Sequence, residues 1–262
     1  MPRPDPRLLD ALVRLADAAS GRPPLIGLSG AQGSGKSTLA AAARDLGAAV
    51  LSLDDVYLTA AARRDLAARV HPLLATRGPP GTHDLPLLER TLAALAAAGP
   101  GQATPLPAFD KLADDRLAPG LWPRFEGQPA FILIEGWCLG ALSQPPQALA
   151  APINAIERDG DPDGAWRRWV NDRLAGDYAA LWRRFDGMLH LQAPDFAVVQ
   201  GWREEQEAGL LGYPPSPARR AELARFIGHF ERVTRHMMAG GRLPGPVAAL
   251  APDRQLLSLD WP

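Results

Sequence analysis

Apolar and polar positions along this chain follow two periods, and the switches between them outline an α/β protein. Residues 6–19 carry apolar side chains at helical spacing, which predicts an amphipathic N-terminal helix over about 6–20. Gly21-Arg22-Pro23-Pro24 stops it, and Pro24-Leu25-Ile26-Gly27-Leu28 reads as a short buried strand. Ser37 to Leu46, rich in Ala and Leu, reads as a helix that Gly47 ends. Residues 48–53 form a second strand, finishing on Asp54-Asp55, and the apolar run 129–134 a third, ending at Glu135-Gly136-Trp137. A long helical pattern over about 165–185 precedes a fourth strand at 187–192. Helices follow at 198–209 and 217–239, with a last edge strand at 256–259. Strands alternating with helices predict a mostly parallel sheet covered on both faces, a three-layer α/β/α arrangement.

One region breaks this rhythm. Between about 71 and 125, Pro and Gly punctuate the chain at 77–81, 99–101 and 105–107, with one helix expected at 84–98. A loop-rich insertion of this length is more often functional than idle. The whole of 1–262 reads as one domain with this insertion, since a single α/β domain can run to such a length.

Composition excludes several classes. A net charge of −1 gives no basic field for nucleic acid. The single cysteine, Cys138, allows no internal disulfide and carries no metal-ligand spacing; it reads as core. Without an apolar run of membrane-spanning length, and with Met1-Pro2-Arg3-Pro4-Asp5 unlike a signal peptide, no membrane partner and a cytoplasmic location are expected. Only two of the 28 basic residues are lysine, Lys36 and Lys111. In a chain so biased to arginine, a lysine that survives is a candidate for a role that needs a compact ammonium.

The chemistry begins at Gly30-Ala31-Gln32-Gly33-Ser34-Gly35-Lys36-Ser37-Thr38, which fits G-x-x-x-x-G-K-[ST] between a strand and a helix. Gly30, Gly33 and Gly35 let backbone N–H groups close on phosphate oxygens, and the helix after the loop adds the positive end of its dipole. Lys36 places a charge on the β- and γ-phosphates, while the Ser37 hydroxyl can ligate Mg²⁺. The loop as a whole, Ser34 and Thr38 included, is the expected ATP-phosphate site. Glu135, an acid at a buried strand's end, stands where a second Mg²⁺ contact is expected. Asp54 is the candidate base for an attacking hydroxyl, with Asp55 as fallback; the competing role for either is to cap the following helix.

Ser52-Leu53-Asp54-Asp55-Val56-Tyr57-Leu58-Thr59 resembles the S-x-D-x-F-Y segment of the uridine kinase and phosphoribulokinase branch of phosphate-loop kinases. Within that branch, four stretches resemble the plant and fungal type of D-glycerate 3-kinase and its bacterial relatives. They are Arg77-Gly78-Pro79-Pro80-Gly81-Thr82-His83-Asp84, Pro107-Ala108-Phe109-Asp110-Lys111, Glu135-Gly136-Trp137-Cys138-Leu139-Gly140 and residues 199–207. Val56, Phe109 and Leu112 depart from the usual Phe, Tyr and small residue.

The resemblance implies a P-loop NTPase fold with a helical lid and a substrate-binding insertion. It also implies Asp54 as base, and Tyr57, His83, Asp84, Lys111 and Arg116 around the acceptor. For His83 the other reading is a helix cap, and for Arg116 a solvated surface position. Arg167, Arg168 and Arg173 offer either a mobile lid over the transferring phosphoryl group or a solvated face with tryptophans packed beneath. Trp137 reads as a pocket wall. The expected activity is transfer of the ATP γ-phosphoryl group to a hydroxyl of a small metabolite, D-glycerate first. The alternatives are a nucleoside, pantothenate or a sugar phosphate, or an ATP-binding regulatory protein without turnover.

Overall fold

A computed structural model describes residues 4–20 and 23–262. The break expected at Gly21-Arg22 and the first three residues of the chain therefore lie outside the described residues. In chain order the helices are α1 (Pro6–Ala18), α2 (Lys36–Ala43), α3 (Ala60–Arg69), α4 (Leu85–Ala97), α5 (Ala155–Gly160), α6 (Ala165–Arg173), α7 (Ala179–Trp182), α8 (Ala197–Leu211) and α9 (Pro217–Met238). The strands are β1 (Leu25–Gly30), β2 (Ala48–Ser52), β3 (Ala103–Pro105), β4 (Phe109–Asp110), β5 (Asp115–Arg116), β6 (Arg124–Glu126), β7 (Phe131–Gly136), β8 (Gly187–Gln192), β9 (Val247–Leu250) and β10 (Leu256–Asp260).

Six strands form one sheet in the order β10-β9-β8-β1-β7-β2, parallel except for β10 on β9. Both faces are covered, so its strands are apolar on both sides. Leu8, Leu12, Ile26, Leu28, Leu39 and Leu189 pack on the face of α1 and α2. Leu88, Leu92, Ile134, Trp182 and Phe230 pack on the other. Each such side chain contributes roughly 1.5–3 kcal/mol by leaving water.

Register is what positions the chemistry. Ser29 of β1 lies opposite Gly136 of β7, and Glu135 opposite Ser52 of β2. The phosphate loop, Glu135 and the Asp54-Asp55 pair thus leave adjacent strands at one carboxyl-terminal edge, where parallel α/β sheets bind ligands.

The structure departs from or adds to the sequence reading in three places. The pattern over 165–185 is not one helix: α6 passes into a π-turn at Leu174–Tyr178 before α7. It is also packed into the core, with Trp166, Val170, Leu174, Tyr178, Leu181 and Trp182 all buried. Second, β9 lies in a stretch that the sequence reading leaves unassigned; pairing with β8 and burial of Ala248 and Leu250 make it a strand. Third, α3 has almost no apolar stripe. Its alanines favour helix, and the Thr59 hydroxyl caps it by accepting from Ala62 N at 3.2 Å.

Two buried ion pairs tie the α5–α6 region to the body. Arg167 pairs with Asp161 at 3.1 Å and donates to the Leu149 carbonyl, while Arg232 of α9 pairs with Glu157 at 2.6 Å. Arg167 is therefore neither a lid residue nor a solvated one, since removing its charge would strand a buried carboxylate.

Candidate active site

The phosphate loop is backed by α8. Gly33 has φ +77°, and a Cβ there would come within 2.5 Å of Trp202 Cβ, so this position needs glycine for both conformation and room. Arg254 braces the same point from the β9–β10 side: it donates to the Gly33 carbonyl at 2.6 Å, pairs with Glu205 and lies over the Trp202 ring. Gly35, at φ +92°, starts α2. Lys36 is buried and donates from Nζ to the Ala31 carbonyl at 3.0 Å. Burial pulls its pKa down, against the charges of Glu135 and Asp54. The Ser34 hydroxyl is buried without a partner among the described residues, and Thr38 is half-buried. Between the ends of β1 and β8 and helix α9, a cavity is lined by Gly30 and Ala31 of the loop together with Ser29, Trp137, His190 and Gln192.

Ser37 Oγ donates to Glu135 Oε1 at 3.2 Å, which joins the loop to β7. A hydroxyl and a carboxylate in contact are hard oxygen donors suited to a small divalent cation that keeps several waters. Ser37 and Glu135 fit Mg²⁺ on that ground.

Neither aspartate after β2 caps a helix. Ser52 does, accepting from Asp54 N at 3.3 Å at the start of a single 3₁₀ turn. Asp54 Oδ1 instead accepts the Tyr57 hydroxyl at 2.6 Å, and Oδ2 pairs with Lys111 Nζ at 3.1 Å. Despite a burial penalty, Lys111 and Tyr57 hold the Asp54 carboxyl down at about 2. Asp55 turns the other way and accepts only from Phe109 N, at 3.3 Å, among the described residues. Burial raises it to about 6.

Two adjacent acids are thus pushed apart, the usual mark of divided roles. The Asp55 shift has a stability consequence. Its folded pKa lies above the unfolded value of 3.8, so the folded chain binds the proton more tightly and stability falls as pH rises from about 4 through 6. In urea melts the wild type should lose about 1 kcal/mol relative to Asp55→Asn between pH 5 and pH 7. A difference that stays flat over that range would show that Asp55 is not the buried acid.

Lys111 stands at the start of the turn joining β4 to β5, and that hairpin is bolted down on every side. Asp114, in the left-handed region at φ +53°, holds both Arg63 of α3 and Arg77 of the Gly/Pro-rich loop. Arg63 is 1% exposed and also donates to the Leu58 and Ala75 carbonyls. Asp115 accepts from Ala60 N. Arg116 donates to the Tyr57 carbonyl at 2.7 Å and pairs with Asp84 at 3.1 Å, so it is not a solvated surface arginine. Asp84 is the cap of α4, accepting from Leu87 N at 3.0 Å, a role that His83 does not take. Its two oxygens are thereby committed to Leu87 and Arg116, one step back from Asp54. Lys111 differs from all of these: it remains 56% exposed and is free to exchange Asp54 for another anion.

His83 and Tyr57 form an isolated antiparallel bridge, and their rings stack at 4.8 Å. Phe109 meets the far edge of Tyr57. His83 Nδ1 lies 2.6 Å from the Tyr178 hydroxyl, and burial lowers its pKa to about 4, so the ring is neutral at working pH. Trp137 Nε1 donates to the Gly78 carbonyl and its ring packs on Phe230, which makes it a support of the Gly/Pro-rich loop; Cys138 is buried in the core.

The arginines that sequence reasoning put forward are not the ones nearest the site. Arg168 donates to the Asp163 carbonyl at the surface, and Arg173, half-buried with its side chain against Gly81, pairs with Asp177. Arg203 of α8 and Arg77 carry charges close enough to perturb Asp54 or its neighbour Tyr57. Arg203 Nε is buried without a partner among the described residues. Tyr178, Asp114, Arg77 and Arg203 were missed. The signal for Tyr178 was rarity, because the chain has only three tyrosines and Tyr57 is another.

No family model matches the chain. It is 31% identical over 223 residues to the uncharacterized kinase mug58 of Schizosaccharomyces pombe, covering 80% of this chain and 79% of that protein. It is 33% identical over 202 residues to the chloroplastic D-glycerate 3-kinase of Arabidopsis thaliana, covering 72% of this chain and 42% of the plant protein. Among solved structures, D-glycerate 3-kinase from Cryptococcus neoformans var. grubii superposes with a TM-score of 0.76 over 97% of this chain and 96% of its own, at 24% identity.

Proposed function

This chain belongs to the family of D-glycerate 3-kinases and their relatives among the phosphate-loop kinases, and on that premise we propose that it transfers the γ-phosphoryl group of ATP to a hydroxyl of D-glycerate, giving 3-phosphoglycerate. The observation that carries this reading is the Asp54–Lys111 pair at the end of β2, beside the phosphate loop. It offers a carboxylate for a hydroxyl and an exposed ammonium for a carboxylate, the two ends of a small hydroxy acid.

In this reading the loop amides, with Ser34 and Thr38 at their side, hold the ATP phosphates, and Lys36 lies against the charge that develops on transfer. Mg²⁺, held by Ser37 and Glu135, neutralises phosphate charge when bound. The acceptor carboxylate draws Lys111 from Asp54 into a charge-assisted hydrogen bond. Asp54 then loses the contact that keeps its pKa lowest, keeps the Tyr57 hydroxyl on Oδ1, and has Oδ2 open to accept the proton of the attacking hydroxyl. His83 and Tyr57 wall this space. Arg116 and Asp84 support it from behind.

The test is ADP release with Mg·ATP against D-glycerate, L-glycerate, uridine, pantothenate and ribulose 5-phosphate. Turnover confined to D-glycerate is expected. Turnover on a different acceptor would keep the kinase and discard glycerate. In the same assay Lys111→Met should raise KM for D-glycerate about tenfold, the scale of one lost charge-assisted hydrogen bond, with KM for ATP unchanged. Losing Lys111 also raises the Asp54 pKa, so the acid limb of kcat/KM should move to higher pH. A limb that stays in place would remove Lys111 from the site.

A further inference from the structure

The proton on His83 can be placed by elimination. Among the described residues the Tyr178 hydroxyl has two partners, the Gly81 N–H at 2.8 Å and His83 Nδ1 at 2.6 Å. An amide N–H only donates, so the Gly81 contact occupies a lone pair of the phenol oxygen. Were Nδ1–H to donate to the second lone pair, the buried phenol hydrogen would have no acceptor among the described residues; donation from the phenol to His83 Nδ1 satisfies it and makes Nδ1 the bare nitrogen. A neutral imidazole with a bare Nδ1 carries its hydrogen on Nε2. That Nε2–H is buried and has no partner among the described residues, on a residue only 5% exposed. A buried donor left unpaired is costly, and in a native site it points to a ligand that is to be met there.

The surroundings say which ligand. The His83 ring stacks on Tyr57, whose hydroxyl donates to Asp54 Oδ1. Tyr178 itself reaches Gly81 and His83 from the π-turn at Leu174–Tyr178, where one extra residue in the helical ladder re-aims a side chain; such turns recur at functional sites. We propose that Tyr178 is a positioning residue that locks His83 in its Nε2–H tautomer, so that the ring presents a fixed, uncharged donor to an oxygen of the acceptor beside Asp54. An uncharged donor suits this place. A second cation here would bind Asp54 in competition with the substrate hydroxyl, as Lys111 does, whereas a neutral N–H orients an oxygen and leaves the carboxylate alone. Protonating Nδ1 would take from the Tyr178 phenol its acceptor, and burial separately keeps the ring neutral.

The proposal rests on the reading of the Asp54 surroundings as the acceptor site, but its first test does not. Long-range ¹H–¹⁵N spectra of the imidazoles, in full-length protein with ¹⁵N-labelled histidine, report the tautomer of each of the five rings; His83→Gln assigns the signal. At pH 7 the wild type should show His83 as the Nε2–H tautomer, and Tyr178→Phe should populate the Nδ1–H form. Tyr178→Phe should also raise KM for the acceptor about five- to tenfold, with KM for Mg·ATP within about twofold. In a His83→Gln background the same substitution should leave acceptor KM unchanged, because the glutamine amide has no tautomer to lock.

An Nδ1–H ring in the wild type overturns the proposal, as does a Tyr178→Phe spectrum that keeps the pure Nε2–H form. Equal KM shifts in both backgrounds would likewise mean that Tyr178 is structural only. Absence of D-glycerate turnover with an Nε2–H ring that Tyr178→Phe releases would sink the acceptor assignment and leave the lock standing.

Discussion

Asp54→Asn should lower kcat on the acceptor by about 10²–10⁴ while ATP still binds, because removing a positioned base costs that much in enzymes of this chemistry. Asparagine keeps the shape of the side chain and still accepts the Tyr57 hydroxyl, so the 3₁₀ turn and its Ser52 cap should survive. What is lost is the acceptor atom for the substrate proton and the anion that Lys111 faces. The Asp54 pKa of about 2 has a further implication. A carboxylate so acidic is a weak base in the resting site, yet it is ionised across the working range and does not fail at mildly acid pH. It suits a loose phosphoryl-transfer transition state, in which the proton leaves late and orientation of the hydroxyl matters most. The loss should therefore appear in single-turnover rates and be nearly independent of pH between 6 and 8. Retention of more than a tenth of wild-type kcat, with Asp55→Asn equally mild, would end the assignment.

Much of this site was legible because its parts are local in sequence. The phosphate loop is nine contiguous residues whose types are dictated by close backbone approach. Asp54 and Glu135 announce themselves as acids where apolar runs end, and parallel register then puts them side by side. What sequence could not show is pairing at long range. Asp114 reads as one acid in a polar turn; only folding brings Arg63 and Arg77, 51 and 37 residues away, onto its carboxylate. Tyr178 lies in a helical pattern whose period of 3.6 hides the single-residue slip of the π-turn. The same blindness left the arginines of 165–185 open between a lid and a solvated face. Arginines and tryptophans at helical spacing look the same whether they cover solvent or a core, and here Asp161 decides by burying Arg167.

Rarity was the more informative signal, and it yields the last prediction. Every cation in this chain except Lys36 and Lys111 is an arginine, and both exceptions lie at the site. Lys36→Arg should cost about 10²–10³ in kcat/KM for ATP, the scale of losing one preorganised stabiliser of transition-state charge. The reason is space. Lys36 is 7% exposed, its ammonium sits within a loop closed by the Ala31 carbonyl, and a planar guanidinium needs a fork of acceptors that this loop does not provide. Lys36→Met should cost at least as much, since it leaves Glu135 and Asp54 without the cation that both attract. Lys111 is the internal control. With its side chain 56% exposed, it has room for a guanidinium, and Lys111→Arg should keep kcat/KM for the acceptor within about tenfold. Thermal melts of all three variants should stay near wild type, which separates lost chemistry from lost fold. If arginine is tolerated at both positions, the lysines are accidents of composition; if it fails only at 36, burial rather than charge alone is what the phosphate loop requires.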